Sequence, residues 1–256
     1  MTVSFQKATL LYLSGTMICT FLNLFGHVLD HWLGTHSLFA ILCKLPPILF
    51  MLLIMVRLKN ARILFGGKFF TPYLLFLLLP LIFSALVNTG HPNITPTLDI
   101  LLLGIIGMLT TIVWEELFFH YVGQMLFERN DSYSIGALAV LVLGFGLSHL
   151  LYILLDPSML EEVLWQTALT TSFGFFSLTL YAKVQNIWVS ALAHLSMNVL
   201  NTFSTLFAEK PFFHEWRSVL DALYCLCLII AGIVLYRLNR EQKHLAPIHL
   251  HEHHIL

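Results

Sequence analysis

The sequence predicts an all-α, polytopic membrane protein of about eight transmembrane helices. Its 256 residues have a mean hydropathy of +0.82 and are 58% hydrophobic but only 11% charged. Soluble domains carry about 25% charged residues, and a water-soluble fold could not bury this much apolar surface. The apolar runs suit helices, which need about 20 residues to cross a bilayer, because barrel strands would alternate apolar and polar residues.

The apolar segments follow one another with short breaks. Lys44 and the pair Pro46–Pro47 interrupt the second segment, which predicts a kinked or shifted helix. No soluble domain, repeat or linker separates the segments, so we predict one transmembrane domain over 1–256, with a motif-bearing core at about 99–207. The eight predicted spans are 8–26, 37–56, 70–87, 99–127, 134–155, 162–182, 187–207 and 219–237.

The basic residues predict the orientation of these spans. With the N-terminus in the cytoplasm, the outer loops hold only Lys210 and Arg217, and Lys44 lies within a span. Cytoplasmic loops are enriched in lysine and arginine, so we expect both termini in the cytoplasm. The net charge of −1 offers no basic surface for nucleic acid, and membrane lipid is the expected partner. The cytoplasmic basic residues are Lys7, Arg57, Lys59, Arg62, Lys68, Arg129, Lys183, Arg237, Arg240 and Lys243.

Polar residues inside the second half of the chain indicate a functional site. Ionisable groups at membrane depth are costly unless they are paired or face a cavity. We favour the interpretation that the three helices carrying these groups converge on one polar pocket. Such residues also form ion pathways in transporters, but no inverted repeat is visible, so a transporter is the less favoured alternative. The residues are Glu115, Glu116, His120, His149, His194 and Asn198.

Helical spacing divides these residues by face. Glu116 and His120 are four residues apart, as are His194 and Asn198, so each pair shares one face of its helix. Glu115 and Glu116 point about 100° apart, so the two carboxylates have different roles. A buried carboxylate beside an imidazole is a suitable general base near neutral pH.

Three motifs carry the polar residues in order. They read Glu115-Glu116-Leu-Phe-Phe-His120, Phe145-Gly-Leu-Ser-His149 and His194-Leu-Ser-Met-Asn198, within about 113–201. The trio resembles the motifs of the CAAX protease and bacteriocin-processing family, also called the Abi family. The resemblance implies an endopeptidase of a bacterial cell membrane that cleaves a membrane-associated peptide or protein.

The resemblance also implies the role of each residue. Glu115 activates water with His149 beside it, His194 and Asn198 stabilise the oxyanion, and Glu116 supports the site. Peptide hydrolysis needs these parts: a base for water, donors for the oxyanion and a proton for the leaving amine.

Two further residues of the motifs have supporting roles. Phe145 shares a helix face with His149, and His120 stands where the family usually has arginine, in a run resembling EExxFRG. Because arginine is permanently charged and histidine titrates, the substitution changes the interaction that would hold the Glu116 carboxylate in position. A non-catalytic bacteriocin-immunity or scaffold protein of the same fold is therefore the alternative to an enzyme.

Two mechanisms fit the same residues. We favour a metal-free reaction with Glu115 as general base and no cofactor. In the alternative, Glu115, His149 and His194 bind Zn²⁺ and leave one position open for water. The sequence has no H-E-x-x-H helix of the zincin type.

Overall fold

A computed structural model of the chain describes residues 4–35, 37–57, 71–88, 90–92, 97–127, 134–211 and 214–245. The predicted all-α membrane fold is confirmed, and each predicted span coincides with a helix in the described residues. The basic residues Lys59, Arg62, Lys68 and Arg129, on which the predicted orientation partly depends, lie outside the described residues.

Nine α-helices are present in the described part of the chain. Helix α4 (Leu98–Glu116) continues through a π-helical turn, Leu117–Val122, into α5 (Gly123–Phe127). Helix α6 (Ile135–Ser148) continues through a 3-10 turn, His149–Leu154. Two short segments, β1 (Gly90–Pro92) and β2 (Ala208–Pro211), pair antiparallel, which the sequence did not predict. The helices are α1 Phe5–Leu33, α2 Leu38–Arg57, α3 Leu78–Asn88, α4 Leu98–Glu116, α5 Gly123–Phe127, α6 Ile135–Ser148, α7 Leu160–Val184, α8 Ile187–Phe207 and α9 Arg217–Leu245.

Within the described residues, four helical segments are long and apolar enough to cross a membrane. Three further apolar helices are shorter, and they lie in α2, in α3 with the 3-10 turn Pro72–Leu77 before it, and in α8. The four long segments are Phe5–Leu33, Leu98–His120, Ile135–Leu154 and Arg217–Glu241. The chain is therefore an integral membrane protein by helix length and composition.

Helix α7 is the central helix of the bundle, although its composition is less apolar. From Ser172 to Ala182 every residue except Phe175 is buried. Helices α6, α8 and α9 all pack against it. A helix enclosed by protein needs no apolar face towards lipid, and small or hydroxyl-bearing residues let its neighbours approach closely. This explains the serines and threonines of α7.

Close contacts fix the helices that surround the site. Tyr12 of α1 donates a hydrogen bond to the carbonyl oxygen of Leu141 in α6, at 3.0 Å. Gly146 of α6 faces α7 so closely that an added Cβ would lie 2.9 Å from the backbone of Thr171. Helix α2 runs unbroken through Pro46 and Pro47. Membrane helices tolerate proline because neighbouring helices can satisfy the backbone groups that proline leaves without a hydrogen bond. The first two of these contacts hold α6 against both α1 and α7.

Candidate active site

The two adjacent carboxylates end α4, immediately before the π-helical turn. Their side chains diverge, as the helical angle of about 100° per residue requires. Glu116 is only 4% exposed, whereas Glu115 is half-buried. Single π-helical turns inside α-helices occur often at functional sites. The backbone thus directs one carboxylate into the protein interior and leaves the other within reach of a cavity.

Glu116 lies between two imidazole rings. Its Oε1 atom accepts a hydrogen bond from Nδ1 of His194 at 2.9 Å. Its Oε2 atom is 2.8 Å from Nδ1 of His120, one helical turn along the chain. The geometry of this second contact is not that of a hydrogen bond, so it is a close polar contact. A buried carboxylate needs such partners, because burial without them is costly.

His120 occupies a fully enclosed pocket that the motifs did not predict. It is 0% exposed, and its Nε2 atom lies 3.3 Å from Oγ of Ser190 in α8 and 3.5 Å from Oγ of Ser177 in α7. The two serine hydroxyls are also hydrogen-bonded to each other. The ring of Tyr181 lies 4.8 Å from the His120 ring, centroid to centroid. The residue that replaces the family's arginine is therefore held by three helices.

His194 connects the two carboxylates. Besides the hydrogen bond from Nδ1 to Glu116, its Nε2 atom lies 3.4 Å from Oε2 of Glu115. The ring packs against Phe173, with centroids 5.1 Å apart. Nδ1 of His194 is thus hydrogen-bonded to one carboxylate, and Nε2 lies close to the other. The polar network thus runs from the serine pair through His120, Glu116 and His194 to Glu115.

A small, partly open cavity of about 30 Å³ adjoins this network. Glu115 and His149 both line it, so the structure brings these two predicted residues to one space. Helices α1, α4 and α6, with the 3-10 turn after α6, form its walls. The lining residues are Tyr12, Thr16, Cys19, Thr20, Asn23, Trp114, Glu115, Phe118, Phe145, Ser148, His149 and Tyr152.

The orientation of the His149 ring leaves its Nε2 atom without a protein partner in the described residues. Its Nδ1 atom donates to the carbonyl oxygen of Phe145 at 3.1 Å, because a carbonyl can only accept. In the neutral ring the Nε2 lone pair is then free to accept a proton or a hydrogen bond. Phe145 packs edge-on against the ring, and Tyr152 stacks on it with an interplanar angle of 24°. Phe145 therefore supports His149 as the shared helix face predicts.

Asn198 is the predicted site residue that the structure does not join to the others. It lies one turn after His194 on α8 and is half-buried. Within the described residues, no hydrogen bond connects it to either carboxylate or to the three histidines, and it does not line the cavity.

The predicted alternative zinc ligands do not form a metal-binding group. Among the described residues, no three His, Cys, Asp or Glu side chains are arranged to hold one metal ion. Nδ1 of His194 is bonded to Glu116, so only its Nε2 atom, 3.4 Å from Oε2 of Glu115, faces a predicted zinc ligand. In this arrangement the described side chains do not fit the predicted zinc site.

Comparison with known families supports the motif assignment. Residues 96–200 match the family model described as type II CAAX prenyl endopeptidase Rce1-like. The predicted resemblance to this family is confirmed over the matched segment, which is less than half of the chain. The matched Rce1-like segment contains all three motifs and every residue of the polar network described above. No curated protein and no solved structure matches the chain.

The Rce1-like family is one of proteases, which supports endopeptidase activity in general terms.

Sequence reasoning missed four polar residues that lie near the motif residues in the structure: Ser177, Ser190, Asn23 and Tyr152. A signal existed for Asn23, which continues the spacing of Thr16 and Thr20 along one side of an otherwise apolar helix. The two serines gave no signal, because serine is common in membrane helices and usually bonds to its own backbone.

Proposed function

We propose that the protein is an intramembrane endopeptidase that hydrolyses a membrane-associated peptide or protein, with Glu115 as the general base. The observation that carries the proposal is the shared cavity of Glu115 and His149, with His194 in contact with the same carboxylate. The match to a family of CAAX prenyl endopeptidases supports the reaction class. A membrane environment supports a substrate that reaches the site from the bilayer.

The first step is attack by water on the scissile carbonyl. Nε2 of His149 orients the water, and Glu115 takes a proton from it while the water oxygen bonds to the carbonyl carbon. The carbonyl π electrons move onto the carbonyl oxygen, which becomes an oxyanion as the carbon becomes tetrahedral. No metal is needed for this step, since the carboxylate supplies the base.

Stabilisation of the oxyanion follows from the position of His194. Before the reaction Nε2 of His194 lies 3.4 Å from Oε2 of Glu115, and in this mechanism that nitrogen carries a proton and Glu115 is ionised. Once Glu115 has accepted the proton from water, the carboxyl is neutral and its attraction for that N–H falls. The N–H can then donate to the oxyanion while Nδ1 remains bonded to Glu116. A role for Asn198 as a second donor to the oxyanion is supported only by the family resemblance.

Collapse of the intermediate completes the reaction. The oxyanion re-forms the carbonyl, the C–N bond breaks, and the leaving nitrogen takes the proton from Glu115. Glu115 is returned to its ionised form, so one residue serves as base and then as acid. Glu116 and His120 take no part in bond changes and position His194.

The experiment is a cleavage assay of the purified protein in lipid nanodiscs. The substrates are prenylated peptides with CAAX ends and unmodified membrane-associated peptides, with products identified by mass spectrometry. We expect new termini at one peptide bond. If no peptide in either set is cleaved, although the protein is folded, the proposal is contradicted, and a non-catalytic immunity or scaffold role or a transporter becomes the better account.

A further inference from the structure

The wall that α1 contributes to the cavity is polar. Thr16, Thr20 and Asn23 line the same space as Glu115. The two threonine hydroxyls donate to carbonyl oxygens of their own helix, each at 2.9 Å, so their hydrogen-bonding capacity is largely used. Asn23 differs, because its side chain has no bond to its own helix.

The side-chain amide of Asn23 is satisfied at one end only. Its Nδ2 group donates to the hydroxyl of Tyr152. Its Oδ1 atom is buried and accepts no hydrogen bond from any residue in the described part of the chain. The residue as a whole is only 7% exposed. Buried polar atoms are nearly always hydrogen-bonded, so an acceptor left open beside a cavity needs a reason.

A peptide substrate supplies the missing donor. The chain around a scissile bond must be extended for water to reach the carbonyl, so its backbone N–H groups lose their helical partners. Such groups are costly inside a membrane protein unless the protein offers acceptors. Tyr152, which holds Asn23, stacks on His149 with ring centroids 5.9 Å apart, so the open acceptor lies near the reacting groups.

We propose that Oδ1 of Asn23 binds a backbone N–H of the substrate peptide next to the scissile bond, and that Tyr152 orients the Asn23 amide for this contact. The proposal rests on the proposed endopeptidase function. It assigns substrate binding to α1, which lies outside the matched segment 96–200. Asn23 is thus a binding residue, and Tyr152 is a positioning residue.

The test compares three variants in the nanodisc cleavage assay. Tyr152→Phe removes the partner of Nδ2 but keeps the Oδ1 acceptor. Asn23→Leu combined with Tyr152→Phe removes the acceptor as well, and removal of both members of a hydrogen bond keeps the loss of stability small. Thr9→Val is the matched control on α1, since the Thr9 hydroxyl is exposed and bonds only to the carbonyl oxygen of Phe5.

We expect the double variant to lower kcat/KM about tenfold relative to Tyr152→Phe, mainly through KM, with an unchanged melting temperature. The substrate is then altered in the same assay by replacing single backbone N–H groups near the cleavage site with ester oxygens. One such ester should slow the wild-type enzyme about tenfold and leave the double variant unaffected, because the contact is already absent.

Each outcome decides the proposal. Equal losses in wild type and double variant at every ester position overturn the Asn23 contact while leaving the endopeptidase function intact. A fall in melting temperature that matches the loss of activity indicates a structural role and also overturns it. A wild-type protein that cleaves no peptide in the panel overturns the endopeptidase function, and the substrate contact with it.

Discussion

Nδ1 of His194 lies 2.9 Å from Oε1 of Glu116, and this contact joins α8 to α4 between two side chains that are almost fully buried. The other oxygen of the same carboxylate is 2.8 Å from His120. A single buried glutamate therefore sets the position of two imidazoles, of which one also contacts Glu115. In this account Glu116 is the anchor of the site and Glu115 is its reactive group.

The serine pair is expected to stabilise the anchor. Ser190→Ala removes the hydroxyl 3.3 Å from Nε2 of His120, and we expect a loss of about 1 kcal/mol in unfolding free energy because the buried ring loses a partner. Ser196→Ala on the same helix is the control, since that hydroxyl bonds to the carbonyl oxygen of Leu192 in its own helix. Denaturant unfolding in detergent measures both. Equal effects of the two substitutions contradict a specific contact with His120.

Because His120 stands where the family usually has arginine, the effect of His120→Arg on activity can be predicted. We expect His120→Arg to retain or raise activity, because a guanidinium can form directed hydrogen bonds to the Glu116 carboxylate, where the imidazole forms none. His120→Leu, which removes every polar atom, should lower activity. The measurement is kcat/KM for both variants. If arginine impairs the enzyme as much as leucine, the enclosed pocket is shaped for an imidazole and the bracing role carried over from the family is wrong.

The apolar spans and the motif residues could be predicted because each has a strong local signal. Long apolar runs predict helices, and Glu115, His149 and His194 are conspicuous ionisable residues within them. The burial of α7 could not be predicted, because it depends on three neighbouring helices rather than on its own composition. The π-helical turn after Glu116 has no sequence signal either. Asn198 shares a face with His194 by spacing, but spacing does not decide which partner that face meets.

The charge distribution predicts that both termini lie in the cytoplasm. Reporter fusions placed after Lys68 and after Lys243 test this, since a cytoplasmic reporter should be active at both positions. The predicted cause is the enrichment of lysine and arginine in the loops on that side. An outside signal at one position requires a different number of spans, and an outside signal at both reverses the orientation.

The proposed mechanism predicts that cleavage needs no metal, because Glu115 supplies the base. We expect activity to survive prolonged chelation, and we expect elemental analysis of the active protein to find no stoichiometric zinc. His149→Ala and His194→Ala should lower activity without changing metal content. Zinc at one ion per chain, lost in both variants, contradicts the metal-free mechanism and supports the alternative ligand set of Glu115, His149 and His194.

The most direct test of the central claim is the rate of peptide cleavage by Glu115→Gln. Glutamine keeps the shape and hydrogen-bonding ability of the side chain but cannot accept the proton from water. Positioned base catalysis contributes about 10²–10⁴-fold, so kcat should fall by that factor while the folded protein and its melting temperature are unchanged. Glu116→Gln should be milder, and Glu162→Gln at the exposed start of α7 should have no effect. Full activity of Glu115→Gln would contradict the assignment of Glu115 as the general base.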